Sequence, residues 1–409
     1  MAYLLGVVLF ALAIFISVCL HEAGHMLTAK RFGMKVTRYF AGFGPTLFSV
    51  KRGETEYGLK GIPLGGFVKI VGMTPQDDDA DDPRAMWRYP LWKRTVVMAA
   101  GSATHFLLGF VVLWITLTFV GVPNPAVDPT KQPASITVAA CVVSSDIQPD
   151  CQPGDPASPA RTAGLRDGDV ITSFDGKPIH TYDDLQHAIR SAKLGPAELT
   201  YKRGDQVAST VVSLVPASRR PLDQPEGKPS TVPALGVTWH LPDDVPLTVT
   251  YGPGESLVQA GVFTGKLFSA MGSAIGRIPA KVPALWDALA GKPRDPNTPI
   301  SVVGASRLGG ETVEHGAWWL FLNLLIVLNF FVGVFNLLPL LPLDGGHIAI
   351  AWFEKIRSWL YAKLGKREPG RVNYLKLMPF TYAIILIFGG FTLLTVAADI
   401  VNPITLFGK

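Results

Sequence analysis

Four stretches of the chain are apolar over about 20 residues or more, running roughly from Ala2 to Leu27, Thr95 to Val120, Ala317 to Leu341 and Leu377 to Val401. A hydrocarbon core about 30 Å thick takes about 20 helical residues to cross. The pattern predicts an α-helical polytopic membrane protein with about four transmembrane helices. Lys30, Arg31, Lys35, Arg38, Lys51, Arg52, Lys93 and Arg94 lie between the first and second spans. Lys355, Arg357, Lys363, Lys366, Arg367 and Arg371 lie between the third and fourth. Short basic connections stay in the cytoplasm. Both connections are therefore expected inside, with both termini and the long segment after the second span extracytoplasmic. The expected location is the cell (plasma) membrane, multi-pass.

The first connection reads as more than loop. Tyr39–Leu47, Glu56–Lys60 and Ile62–Ile70 are apolar β-like segments broken by glycines, which suggests a membrane-associated β-hairpin. Such backbone is tolerated at lipid depth only where protein buries it or it lines a cavity. Asp77 to Asp82 reads as a solvated acidic linker, and Trp87, Tyr89 and Trp92 as interfacial anchors. Past a Pro-rich linker at Val122 to Pro133, strands at Ser135–Val138, Val170–Ile179, Ala197–Lys202 and Ser209–Val215 surround a helix from Tyr182 to Ala192 capped by Thr181, which makes a compact α/β domain. After about Leu241 the chain turns helical again, with amphipathic stretches such as Gly265 to Ala290 expected on the outer membrane surface. The resulting division is 1–121, 122–245, 246–316 and 317–409.

Composition supports this class. The 409 residues are 48% hydrophobic and only 17% charged, and the mean hydropathy is +0.29. The net charge of +5 sits beside the apolar runs, so it orients the chain in a bilayer, and no nucleic-acid partner is expected. The first apolar run has no basic leader and no small-residue cleavage site, and is expected to remain as an uncleaved helix. Of three cysteines, Cys19 lies in the first span, while Cys141 and Cys151 flank a polar loop and are expected to form a disulfide in an oxidising compartment.

The strongest chemical signal is His21-Glu22-Ala23-Gly24-His25. Residues four apart share a helix face, so both imidazoles can reach one metal, and Glu22 stands beside it as a general base. A charged side chain in a span costs about 3 kcal/mol on insertion scales, so such a cluster marks function. Catalytic zinc takes a third protein ligand. Asp344, in Asn336-Leu337-Leu338-Pro339-Leu340-Leu341-Pro342-Leu343-Asp344-Gly345-Gly346-His347, is the conspicuous candidate, where prolines interrupt the third helix. His347 is the alternative ligand. Asn336 is either a buried packing amide or a contact to substrate backbone.

His-Glu-x-x-His in the first span with Asn-x-x-Pro-x-x-Pro-Leu-Asp-Gly-Gly-His in a later one resembles the site-2 protease family, and more narrowly its regulator-of-sigma-E protease group. The Cys141/Cys151 pair and Asn297–Ala305 resemble the actinobacterial and mycobacterial members. The resemblance implies an intramembrane zinc metalloprotease with one zinc held by His21, His25 and Asp344, Glu22 as general base, and Asn336 and Pro339 holding substrate. It implies cleavage of single-span membrane proteins such as anti-sigma factors after a first cut by a site-1 protease, in regulated intramembrane proteolysis. Gly42-Phe43-Gly44-Pro45 falls where the family's hairpin pairs with an unwound substrate strand. Ser158–Ile171, continued by Phe174–Ile179, resembles a bacterial PDZ domain, which would bind extended peptide or act as a size filter. One departure is His105, which stands where the family has asparagine; a packing role is expected. Rival readings are a divalent-metal transporter and an inactive PDZ scaffold. A transporter would not need Glu22, and a scaffold would not need the retained ligand set.

Overall fold

The structure, a computed structural model, describes all residues except 126, 144–150, 223–227, 241–244, 293, 296, 408 and 409, and the side chain of Leu64. Most of the loop between the two paired cysteines, residues 144–150, and the expected helical onset at Leu241 thus fall outside the described residues. The chain forms two units, Met1–Gly121 with Thr250–Lys409, and Val122–Val249.

The first unit opens with α1 (Ala2–Arg31), an apolar helix that closes on Lys30 and Arg31, where the negative end of the helix dipole favours cations. Strands β1 (Val36–Arg52) and β2 (Thr55–Ile70) form an antiparallel pair. Tyr39 of β1 pairs with both Val68 and Tyr57, so this stretch is flanked by backbone on both sides. Gly42, at φ +88°, lets the ladder fold over, since a Cβ there would meet the carbonyls of Lys60 and Ile62 at 2.9 Å. The far end of the hairpin leaves Phe43, Leu47, Phe48 and Ile62 exposed. The acidic run that follows is not a free linker. Asp82 pairs with Lys35 at 2.6 Å, Asp79 with Lys69 at 3.3 Å, and Asp79 also accepts from the Gly72 amide. These carboxylates staple the return from β2 to α2 (Leu91–Ile115), which a π-helical turn extends to Val120.

The second unit contains β3 (Val122–Pro123), β4 (Ile136–Val138), α3 (Pro159–Thr162), β5 (Val170–Phe174), β6 (Lys177–Pro178), α4 (Tyr182–Ser191), β7 (Gly195–Arg203), β8 (Gln206–Arg219), β9 (Ser230–Ala234), β10 (Val237–Trp239) and β11 (Thr248–Val249). Its main sheet has the order β6-β5-β7-β8-β9. The Asp175-Gly176 turn joins β5 to β6 with positive φ at both residues. Ile136, Ile171, Phe174, Leu185, Leu199 and Leu214 fill the core under α4. Thr181 caps α4 as expected, in a reciprocal box with Asp184. Cys141 and Cys151 form a disulfide with Cα atoms 5.9 Å apart. A short β3–β11 ladder brings the two ends of the unit together.

The first unit resumes with α5 (Pro253–Leu289), α6 (Val302–Glu314), α7 (Trp318–Asn336), α8 (Asp344–Lys363) and α9 (Tyr374–Val401). Among the described residues, α1, α2 with its extension, α7 and α9 are long and apolar enough to cross a membrane. Helix α5 carries Pro279 and Pro283 within its 37 residues. Helix α6 is largely buried rather than lying on a surface. Its Gly309 and Gly310 sit against Phe10, Val7 and Tyr3 of α1, leaving no room for a Cβ. Small residues let helix backbones approach in this way.

Candidate metal centre and active site

The interrupted third span is the key local feature. Helix α7 stops at Asn336, before Pro339 and Pro342, neither of which can donate a helical N–H. The chain turns, and Asp344 becomes the first residue of a new helix, α8, rather than part of the third span. Gly345 and Gly346 make the turn possible: a Cβ on either would overlap the backbone of Leu337, Leu338 or Leu340. The carboxylate of Asp344 is thereby delivered to the His21–His25 face of α1.

Three donor atoms converge. His21 Nε2 lies 3.3 Å and His25 Nε2 3.2 Å from Asp344 Oδ2, and the two Nε2 atoms are 3.1 Å apart. Both histidines are buried, at 6% and 3% exposure. His25 Nδ1 lies 2.7 Å from the Val97 carbonyl oxygen of α2. A carbonyl can only accept, so Nδ1 carries the proton and Nε2 presents its lone pair. Asp344 Oδ2 is buried without a hydrogen-bond partner among the described residues. Lone pairs packed together without protons repel unless a cation sits between them. Tetrahedral ligands about 2.0–2.1 Å from zinc are about 3.3 Å from each other, which matches the three separations. The donor set, two imidazoles and a carboxylate, is zinc's kind.

Neighbouring groups hold the site. Gly101 of α2 lies against both imidazoles, where a Cβ would overlap their ring atoms, and Gly24 of α1 lies equally close to Ala100 and Thr104. Glu22 Oε2 accepts from the Val68 amide of β2 at 3.0 Å, and Tyr39 Oη donates to the Cys19 carbonyl at 2.8 Å. Strand β2 therefore reaches the carboxylate beside the metal face.

Other sequence candidates fall outside the three-residue cluster. His347 stacks its ring on Tyr374, with centroids 5.7 Å apart. Cys19 is a free thiol. Asn336 is half-buried at the end of α7, and Pro339 is exposed. The buried amide of α7 is instead Asn329, 3% exposed, which sequence reasoning missed. Its Nδ2 donates to the Leu325 carbonyl, and its Oδ1 lies 2.9 Å from His105 Nδ1. His105 thus packs as expected, with its ring 5.1 Å from that of His21. The signal available for Asn329 was an amide in an apolar span, but Asn323 and Asn336 give the same signal.

Comparison with known proteins identifies the family. The profile of peptidase family M50 matches residues 9–374. The chain is 43% identical to the zinc metalloprotease Rip1 of Mycobacterium bovis over 412 residues, covering all of both chains. It is 43% identical to the zinc metalloprotease Rip1 of Mycolicibacterium smegmatis over 419 residues, again covering all of both. A putative zinc metalloprotease of Clostridium perfringens is 29% identical over 399 residues, covering 97% of this chain and 99% of that one. The chain belongs to peptidase family M50, the site-2 protease family. It is a zinc-dependent protease and a multi-pass membrane protein.

Proposed function

We propose that this protease hydrolyses peptide bonds within the transmembrane segments of single-span proteins, anti-sigma factors among them, after a site-1 protease has trimmed them outside the membrane. The observation that carries this reading is the position of the donors: His21 and His25 lie on a membrane-spanning helix, with Asp344 within 4.8 Å. The residues that would hold zinc are His21, His25 and Asp344. Bound there, zinc would polarise a peptide carbonyl and lower the pKa of a water towards about 7.

Glu22 then has one task, to take the proton from that water and pass it to the leaving amide nitrogen. Its grip on the Val68 amide leaves Oε1 available. A transmembrane helix must unwind before its peptide bond can be attacked, and its freed N–H and C=O groups then need partners. Strand addition beside β2 would provide them next to Glu22, with Asn336 and Pro339 at the end of α7 guiding the substrate. By the positive-inside rule the end of α1 at Lys30 and Arg31 is cytoplasmic, while both termini and the Val122–Val249 unit are extracytoplasmic. The Cys141–Cys151 disulfide supports that side. We read that unit as a PDZ domain. A groove between Tyr182, Leu185 and Ile189 of α4 and the segment Val232–Val237, which joins β9 to β10, is where extended peptide would lie, or where bulky outer portions would be refused.

The test is cleavage of a trimmed and an untrimmed single-span substrate by the full chain in liposomes. Wild type should cut the trimmed form inside its apolar segment. Glu22→Gln should lose about a hundredfold to ten-thousandfold in rate while retaining zinc. Undiminished cutting by Glu22→Gln, or cleavage confined to soluble portions of the substrate, would overturn the proposal.

A further inference from the structure

Helix α8 carries an apolar face that none of the described residues covers. Trp352, Phe353, Ile356, Trp359, Leu360 and Leu364 are exposed by 46–58%, although α8 is not among the membrane-spanning helices. At about 100° per residue these six side chains fall in one arc of roughly 140°. Lys355 and Arg357 stand at its two edges. Lys363, within the arc, folds its ammonium over the Trp359 ring at 4.2 Å, and the Arg357 guanidinium lies 5.4 Å from the Phe353 ring centre. The opposite side faces protein, where buried Glu354 accepts from Arg371 Nη1 at 3.1 Å and from the Val372 amide at 2.8 Å. The indole of Trp352 donates to Thr95 Oγ1 at 3.1 Å, near the start of α2. The bare arc therefore begins at the level where that span enters the bilayer.

An apolar arc edged by cations, with tryptophans at the boundary, matches a bilayer surface rather than a soluble partner. Lys366 and Arg367 immediately follow the helix, so the bilayer it fits carries negative charge. We propose that α8 is an interfacial helix that lies on the cytoplasmic leaflet and recognises anionic lipid headgroups, and that this hold steadies the helix whose first residue is Asp344. The side of the membrane rests on the orientation proposed above; the lipid contact does not. Bilayer charge would then influence how firmly the third metal-binding side chain is placed.

The full chain in nanodiscs of phosphatidylcholine, alone or mixed with phosphatidylglycerol, separates these statements, because both leaflets of a disc have the same composition. Amide exchange over residues 352–364 should slow at least about tenfold in anionic discs. High salt should reverse that gain, and so should the triple variant K355E/R357E/K363E, with protection in α1 and α2 unchanged as the sign of an intact fold. Protection that is equal in both lipids and in detergent, or absent throughout, overturns the lipid contact. Zinc should also leave more slowly to a chelator in anionic discs, and equal rates overturn the link to Asp344. Side-specific labelling of residue 363 in cells reports the leaflet separately.

Discussion

Two buried polar clusters in the same unit make opposite use of their charges. Around Asp399 of α9 the donors carry protons. Arg294 Nη1 lies 2.7 Å from Asp399 Oδ1, with the side chains 2% and 1% exposed. The Ser301 amide and hydroxyl both donate to Asp399 Oδ2 at 2.6 Å. Arg294 goes on to donate to Thr298, Pro299 and Asn402. Asp399 Oδ1 makes no well-angled hydrogen bond, yet its charge is matched directly by the guanidinium. Around Asp344, by contrast, two imidazole nitrogens and a carboxylate oxygen lie within 3.3 Å of one another, and His25 Nε2 presents its lone pair. One cluster is complete in itself and locks the approach to α6 onto α9. The other, on the function proposed above, would be completed by a cation, and that difference would separate a structural site from a chemical one.

Removing one acidic partner from each cluster should break them in different ways. Asp344→Asn keeps the shape but removes an anionic ligand. Zinc affinity, read by competition with a chelator, should fall by more than the roughly 10–100-fold that loss of a supporting contact costs. Proteolysis should fall with it, while thermal stability of the metal-free protein changes little. Unchanged affinity would remove Asp344 from the ligand set. Arg294→Ala leaves a buried carboxylate unmatched, at a cost of about 3–5 kcal/mol. Its unfolding midpoint should drop sharply, while molecules that remain folded bind zinc as wild type does. The double variant R294M/D399L should recover much of the stability, because a well-packed apolar pair can replace a buried ion pair. Failure to recover would show that the hydrogen bonds to Ser301 matter more than the charge.

The two clusters were not equally legible in the sequence. His21 and His25 could be read because four residues is one helical turn, and Glu22 because it lies between them. Asp344 was visible as an acidic residue beside an apolar run, but its place on a new helix follows from the turn that Gly345 and Gly346 permit. The supports were hidden. Val97 and Val68 contribute backbone atoms, which no side-chain pattern announces, and Val97 is 72 residues from His25. Arg294 and Asp399 are far apart in sequence and share no periodicity, so nothing local predicted their pairing. The expected surface helices at 246–316 were read from amphipathic spacing alone, which does not distinguish a helix facing water or lipid from α6, whose glycines face α1.

Gly101 tests whether the metal cluster depends on close helix approach as well as on its ligands. Gly101→Ala adds one methyl group where both imidazole rings already lie, so α2 must retreat or the rings must turn. Either movement disturbs the His25–Val97 contact. Zinc affinity should fall by about 10–100-fold, the range seen when ligand orientation is loosened. Gly310→Ala, which crowds Val7 and Tyr3 instead, should spare zinc binding. Equal zinc losses in both would mean general loosening of the fold rather than local displacement of ligands.

The smallest effect is expected in the second unit, where a cap rather than a cluster is at stake. Thr181 Oγ1 accepts from the Asp184 amide at 3.1 Å, and Asp184 accepts from the Thr181 amide at 2.9 Å. Thr181→Ala should cost about 1 kcal/mol, a few degrees in the midpoint of that unit, with zinc binding unchanged. The Thr181 amide, with its hydroxyl and the His180 amide, holds the Asp184 carboxyl below its ordinary range. A depressed folded pKa favours the ionised fold. The carboxylate's share of the cap is therefore present above the unfolded value of about 3.9 and lost as pH falls through the folded one. Asp184→Asn should consequently lower the midpoint at pH 7 and converge on wild type in acid. A gap that persists in acid would mean the cap works through shape and hydrogen bonding, with no contribution from charge.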